Sequence, residues 1–301
     1  KKPTATGGGS CGRQHVVVPG SSEESIVTCR MEAENDPPRM MPPIARRVAH
    51  ERATAPLPPG IDEMIFAGFL RGKSVEMVRC RTVDLEVPAE SEVVLEGYVD
   101  ANDLRPEGPF GDHTGFYTPV DDYPTFHITG MSMRRDAVYS TTIVGPPPME
   151  DFFLGKATER IMLPLLKTLI HDIEDYDLPM FGAFHNCVFV KICKQYPLQA
   201  RRVMHAIWGA GQMAWTKSVF VVDDDVDVHD RDAVLGACAR WCRPSRDIER
   251  VNGALDILDH AAPRLGAGMK IGFDCTRKIA GEEVDGVPVG GGQDDWSPSA
   301  E

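Results

Sequence analysis

Residues 218–241 read Ser218-Val-Phe-Val-Val-Asp-Asp-Asp-Val-Asp-Val-His-Asp-Arg-Asp-Ala-Val-Leu-Gly-Ala-Cys-Ala-Arg-Trp241. The run over 218–222 is apolar without alternation, as expected of a strand buried on both faces. It breaks into acids at Asp223. From Asp230 to Trp241 a helix is expected, with Asp230 as its N-cap, because a short carboxylate there accepts the first backbone N–H groups. Strand, loop and helix in that order form half of a parallel α/β unit.

The same grammar extends upstream. Residues 187–193 read as another buried strand. Residues 198–214 read as a helix ending near Gly209 to Gln212. In residues 154–173, Ile161, Leu165, Leu166, Leu169 and Ile173 recur at helical spacing. Helices alternating with strands predict a mostly parallel sheet over 150–278. Residues 61–143 instead hold short strand signals at 74–80, 92–99, 126–133 and 137–144. The last two are expected to pair across Arg134-Arg135-Asp136. Short strands at close spacing suggest a β-sandwich or barrel. Pro37-Pro38, Pro42-Pro43 and Pro58-Pro59 exclude long regular structure there. A short helix fits 44–53. Residues 1–24 and 279–301 read as flexible tails rich in Gly, Ser and Asp.

The bulk composition narrows the function classes. The 301 residues are 42% hydrophobic and 26% charged, as in a globular protein, and carry a net charge of −13. Such a chain has no broad positive field for nucleic acid or anionic lipid. No apolar run of about 18 residues suggests a membrane span. The eight cysteines are scattered, with no C-x2-C pair, and read as reduced thiols of a cytoplasmic protein. Cys238 and Cys242 stand four apart on the expected helix, but no second pair lies near them in sequence, so a metal site there has little support. No Walker A loop, G-x-S-x-G elbow, H-E-x-x-H or G-x-G-x-x-G motif occurs.

Three segments concentrate chemistry. Residues 105–117, Arg105-Pro-Glu-Gly-Pro-Phe-Gly-Asp-His-Thr-Gly-Phe-Tyr117, lie between two expected strands. Gly108, Gly111 and Gly115 permit close backbone approach. Glu107, Asp112 and His113 offer hard oxygen and imidazole ligands suited to Mn2+ or Mg2+. Residues 145–155 place Glu150 and Asp151 after a proline run and before Phe152 and Phe153. An acid held against those rings would stay protonated more readily and could donate a proton. Equally, both acids suit the first turn of a helix, and local sequence favours neither reading. The acids of 223–230, with His229, could bind a metal, but a strand-to-helix loop explains them better. Arg30, in Ile26-Val-Thr-Cys-Arg-Met31, could fork onto a carboxylate. His171, His185, His205 and His260 read as structural or exposed.

Taken together, the segments resemble the UbiD family of decarboxylases. The resemblance rests on Phe66-Ala-Gly-Phe-Leu-Arg-Gly72, Glu92-Val-Val-Leu-Glu-Gly97, Pro106-Glu-Gly-Pro-Phe-Gly-Asp-His-Thr-Gly-Phe-Tyr117, Leu154-Gly-Lys-Ala-Thr-Glu-Arg160, the 216–230 segment and Gly268-Met-Lys-Ile-Gly-Phe-Asp-Cys-Thr-Arg277. It covers about residues 53–278, in the family's order. It implies a split β-barrel cofactor domain over 25–149 and an α/β oligomerisation domain over 150–278. It also implies prenylated FMN held through Mn2+ or Mg2+, with K+ as a further ion, and a flavin prenyltransferase as cofactor supplier. The implied reaction is non-oxidative decarboxylation of an aromatic or α,β-unsaturated acid, as in ubiquinone biosynthesis or aromatic acid metabolism, by a homodimer or higher oligomer. The alternative is a non-catalytic or accessory subunit of a multi-subunit enzyme of this type.

Carried over by position, Glu107 matches the metal-binding Glu, Arg30 the active-site Arg, and Glu150 or Asp151 the proton donor. Lys270 is a candidate phosphate contact. The chain departs from the pattern at Ser25, which stands where the family has a metal-binding Asn. It also departs over 31–52, which is short and holds only His50 where a metal-binding His segment is expected. These departures suggest a degenerate or N-terminally truncated member.

Overall fold

The computed structural model describes residues 57, 62–183, 185–284 and 287–288. The chain divides into two compact units at Pro146/Pro147. Arg30, Ser25, His50, the helix expected over 44–53 and the tail expected at 1–24 lie outside the described residues. Of the tail expected over 279–301, residues 279–284 and 287–288 are described, with Glu282 buried and Glu283–Val284 paired to Val287–Pro288.

The first unit opens with helix α1 (Glu63–Arg71). Asp62 caps it, accepting from the Met64 and Ile65 amides at 2.8 and 3.1 Å, and Gly72 ends it at φ 66, where a side chain would be strained. Strands β1 (Met77–Arg79) and β2 (Glu86–Pro88) form one short antiparallel pair. Strands β3 (Val93–Glu107) and β4 (Asp121–Met133) form a long antiparallel ribbon, with register running from Val93↔Met133 to Glu107↔Asp121. Tyr98 and His127 face each other across it as stacked rings, 4.9 Å between centroids. The register shifts at Glu96/Gly97. A Cβ on Gly97 would lie 2.1 Å from the His127 carbonyl oxygen, so only glycine fits the bulge. Glu96, nearly inaccessible, accepts from the Arg81 and Thr82 amides and the Thr82 hydroxyl, which fastens the preceding turn to the ribbon.

One expectation fails here. Residues 126–133 do not pair with 137–144, which form no strand. Their partner is β3, across the loop after Glu107. That register opposes apolar residues along the ribbon, as at Val99↔Phe126 and Leu95↔Met131, and such cross-strand pairs outweigh the turn propensity of Arg134-Arg135-Asp136.

The second unit is α/β. Its sheet comprises β5 (Ile173–Asp177), β6 (Cys187–Ile192), β7 (Ser218–Asp223), β8 (Ile248–Ala254) and β9 (Ala267–Asp274), in the order β5-β6-β7-β9-β8. The three central strands β6, β7 and β9 are parallel, and both edge strands run antiparallel. Side chains alternate between two apolar layers, as a strand's period of two requires. Val188, Val190 and Ile192 join Val219, Val221, Ile173 and Met204 on one face. Cys187, Phe189, Val222, Val234 and Cys275 pack on the other. Helices α2 (Glu150–Leu169) and α3 (Gln199–Ile207) serve the first layer, and α4 (Arg231–Trp241) the second.

Asp230 caps α4 as its sequence suggests, accepting from the Asp232 and Ala233 amides at 2.9 and 3.2 Å. The helix expected over 198–214 is shorter: α3 stops at Ile207, and a separate 3-10 turn covers Gly211–Trp215. Gly211, at φ 49, takes a left-handed conformation that no α-helix continues. The helix expected over 154–173 starts earlier, at Glu150, and leaves Ile173 to β5. A short helix α5 (Pro244–Asp247) precedes β8, and β10 (Glu283–Val284) pairs with β11 (Val287–Pro288). No described helix is long and apolar enough to cross a membrane.

Candidate functional site

In the first unit, the ribbon delivers Glu107 at the very end of β3, exposed, with Asp121 opposite it in register. Two carboxylates are thus fixed at one end of a rigid ribbon. They act on a neighbour: burial, then the charges of Asp121 and Glu107, push the Tyr123 phenol above its ordinary range. The loop that follows is built rather than slack. Phe110 and Thr118 exchange hydrogen bonds, with amide to hydroxyl at 3.1 Å and amide to carbonyl at 2.8 Å. Gly111 bridges Tyr117, and Gly115, at φ 83, donates to the Asp112 carbonyl at 3.0 Å. Asp112 holds both the backbone and the ring Nδ1 of buried His113 at 2.7 Å. Of the three ligands expected in this loop, Asp112 and His113 therefore bind each other, while Glu107 faces solvent.

A hard divalent cation takes oxygen donors. Glu107 and Asp121 supply carboxylates, a donor set that suits Mn2+ or Mg2+. Phe110, Phe116 and Tyr117 are exposed along the same loop.

In the second unit, Glu150 and Asp151 form the first turn of α2 and are half-buried. The Met149 N-cap position offers no side-chain hydrogen bond, so these acids are what complements the helix dipole. Phe152 and Phe153 follow edge to face, 5.3 Å apart, and Phe153 remains exposed. Lys270, on β9, is 2% exposed and donates through Nζ to the Ala214 carbonyl. Burial alone pushes its ammonium down to about 8.

The structure also assembles a charge network that sequence reading passed over. Glu159, 1% exposed on α2, accepts from Lys156 Nζ, Arg160 Nε and the Leu178 amide at 3.0, 3.0 and 2.6 Å. Lys156 also reaches Asp177, and Arg160 Nη1 reaches Asp175 at 2.7 Å. His229 touches both, with Nδ1 3.0 Å from Asp177 and Nε2 3.1 Å from Asp175. Burial raises the Asp175 carboxyl, but hydrogen bonds from Arg160, the Tyr176 amide and His229 leave it below the ordinary range. Glu159, Asp177 and His229 converge closely enough to hold an ion, but Lys156 already occupies the space between the two carboxylates. The available signal was Lys156-x-x-Glu159-Arg160, a helical i,i+3 spacing.

Known proteins align with both units. The UbiD 3-octaprenyl-4-hydroxybenzoate carboxy-lyase Rift-related domain matches residues 48–147, and the C-terminal domain of the same carboxy-lyase matches residues 152–275. An uncharacterised protein of Archaeoglobus fulgidus is 52% identical over 227 residues, 75% of this chain and 47% of the relative. One of Aquifex aeolicus is 51% identical over the same shares. The chain thus spans about half the length of the curated relatives it matches. Among solved structures, the UbiD-class enzyme HmfF of Pelotomaculum thermopropionicum, in complex with FMN, aligns with TM-score 0.65 and 26% identity, over 83% of this chain and 53% of that one. The closed form of Sedimentibacter hydroxybenzoicus vanillic acid decarboxylase aligns with TM-score 0.69 and 25% identity, over 82% and 50%. With both of the family's domains matched in order across most of its length, the chain belongs to the UbiD family.

Proposed function

We propose that the protein catalyses non-oxidative, reversible decarboxylation of an aromatic or α,β-unsaturated carboxylic acid. The observation that carries this reading is Glu107, presented with Asp121 at the end of the β3–β4 ribbon, beside the hydrogen-bonded loop of residues 108–118, where this chain concentrates Gly, aromatic and ionisable residues. Two related structures support the cofactor class: one HmfF structure contains FMN, and an evolved dimeric form of the same enzyme contains prenylated FMN. Prenylated FMN, when bound, supplies the electron sink that lets carbon dioxide leave.

The chain's own residues have the remaining tasks. Glu107 would hold Mn2+ or Mg2+, and Asp121 adds charge beside it. Arg30 would fork onto the substrate carboxylate and orient it. The carboxyl of Glu150 or Asp151 would deliver a proton to the carbon that loses carbon dioxide, balancing the reaction as carboxylate plus proton to hydrocarbon plus carbon dioxide. Lys270 carries the right charge for a phosphate, but its buried bond to Ala214 favours a packing role. Assembly would be a homodimer or higher through the second unit, with a flavin prenyltransferase supplying the cofactor in the cytoplasm.

Ser25, in place of the family's metal-binding Asn, favours a second reading: an accessory subunit that keeps the scaffold without a complete site. Co-expression with a flavin prenyltransferase separates the two. Stoichiometric prenylated flavin with Mn in the purified chain, followed by carbon dioxide release from an aryl or enoic acid, supports the enzyme. A folded, colourless, metal-free chain supports the subunit.

A further inference from the structure

The end of α4 and the end of β9 bring together three thiols that are far apart in sequence. Cys238 and Cys242 lie one helical turn apart, Cys242 being the C-cap residue. Cys275 follows β9 directly and is held in place by its amide, which donates to the Val221 carbonyl at 2.9 Å. The three Sγ atoms all lie within 4.8 Å of one another, and all three residues are free thiols. They sit at the C-terminal edge of the parallel strands, the edge where α/β sheets place ligands.

We propose that Cys238, Cys242 and Cys275 bind a single thiophilic d10 metal ion, with Zn2+ as its representative, which clips α4 to β9. The spacing selects the ion. With metal–sulfur bonds of about 2.3 Å, the sulfurs of one bound ion lie about 3.8–4.0 Å apart, inside the observed envelope. The surroundings agree with a soft, sulfur-bound ion. Phe220, Phe273, Trp241, Val222 and Val234 pack around the thiols, so a hard, hydrated cation is disfavoured. Three thiolates around a divalent ion carry one net negative charge. Arg277, two residues past Cys275, lies 5.9 Å from the centroid of Trp241, the neighbour of Cys242, with its guanidinium paired to Asp225, so its charge is shared between that acid and the corner. Binding requires each thiol to release its proton, including the one Cys275 now directs at the Phe273 carbonyl, 3.6 Å away. The fourth position would be filled from solvent. This ion is distinct from the divalent metal near Glu107: it belongs to the other unit, has a sulfur donor set, and does not depend on the flavin.

The test uses the full chain, reduced and metal-free, titrated anaerobically with Co2+. The expected result is one Co2+ per chain, a near-ultraviolet thiolate-to-cobalt charge-transfer band, and displacement by equimolar Zn2+. Cys242→Ser is half-buried at a helix end and should lower that band by about a third and weaken binding at least tenfold. Cys193→Ser should change neither. Zn2+ should shield three of the native chain's thiols from a disulfide reagent and raise its melting temperature. Absence of the charge-transfer band, or a band unchanged in both Cys238→Ser and Cys242→Ser, overturns the proposal. Should the variants unfold, thiol shielding in the unaltered chain decides: three shielded thiols uphold the site, and fewer sink it.

Discussion

Glu107 stands directly across the β3–β4 ribbon from Asp121, carboxylate opposite carboxylate. Like charges in that position cost a sheet roughly 0.2–1 kcal/mol, although Asp121 Oδ1 also accepts from the Asp122 amide at 2.9 Å. A divalent cation would turn that repulsion into attraction. Glu107→Gln is therefore expected to leave the metal-free melting temperature unchanged or slightly higher while abolishing retention of Mn and flavin. Parallel melting curves and metal analysis check both halves. A lower melting temperature with cofactor retained would assign Glu107 to the fold instead.

Gly97 admits no side chain. Its Cβ would fall 2.1 Å from the His127 carbonyl oxygen and 2.9 Å from the Phe126 ring. Backbone on one side and a ring on the other leave little room to relax. Gly97→Ala should destabilise the ribbon by about 1–3 kcal/mol, seen as faster amide exchange along β3 and β4 with the second unit unaffected. Exchange unchanged in β4 would mean that the bulge can shift.

The α/β unit was legible where β6 and β7 run almost wholly apolar and where its helices keep their spacing, whereas β9, interrupted by Lys270, was not. Ser218–Asp223 and the Asp230 cap appear where the residues put them. Strand β8 was not legible: Ile248–Ala254 alternates around Glu249, Arg250 and Asn252, and its strand character comes from pairing with β9. The first unit was harder still, because a hairpin is chosen by register, and the turn at 134–136 outscored a partner lying beyond the 108–120 loop. At the candidate site, Glu107 stood out as a candidate ligand from its motif. The three-thiol cluster was not, since only the fold brings Cys275 to Cys238 and Cys242.

Glu282 ties the C-terminal segment to the second unit. It accepts from Lys194 Nζ at 2.8 Å and from the Leu198 and Ile279 amides at 3.0 and 2.9 Å, with both charged side chains almost fully buried. Burial raises its carboxyl, but these donors outweigh burial and leave it below the ordinary range. A depressed carboxylate stabilises the fold above its unfolded value, and that contribution fades as pH falls through the folded one. Acid unfolding should therefore begin below about pH 4, and Glu282→Gln should flatten this limb. Glu282→Ala, which strands Lys194, should cost about 3–5 kcal/mol at pH 7. An acid limb unchanged in Glu282→Gln would place the acid sensitivity elsewhere.

Lys270 has the opposite sign. Burial lowers its folded ammonium to about 8, whereas the unfolded chain titrates near 10.4. Between those values the unfolded state binds the extra proton, so this residue makes stability rise with pH from about 8 to 10.4. Below pH 8 both states are protonated, and Lys270 carries a constant penalty for its buried charge, relieved in part by the Ala214 carbonyl. Lys270→Met keeps the stem that packs against Gly253 and removes the charge. It should be at least as stable as the native residue at pH 7, with the alkaline rise absent from its denaturation midpoints. If the same variant also loses flavin at pH 7 while remaining folded, the ammonium serves a phosphate after all. In that case the bond to Ala214 is a resting position that cofactor binding replaces.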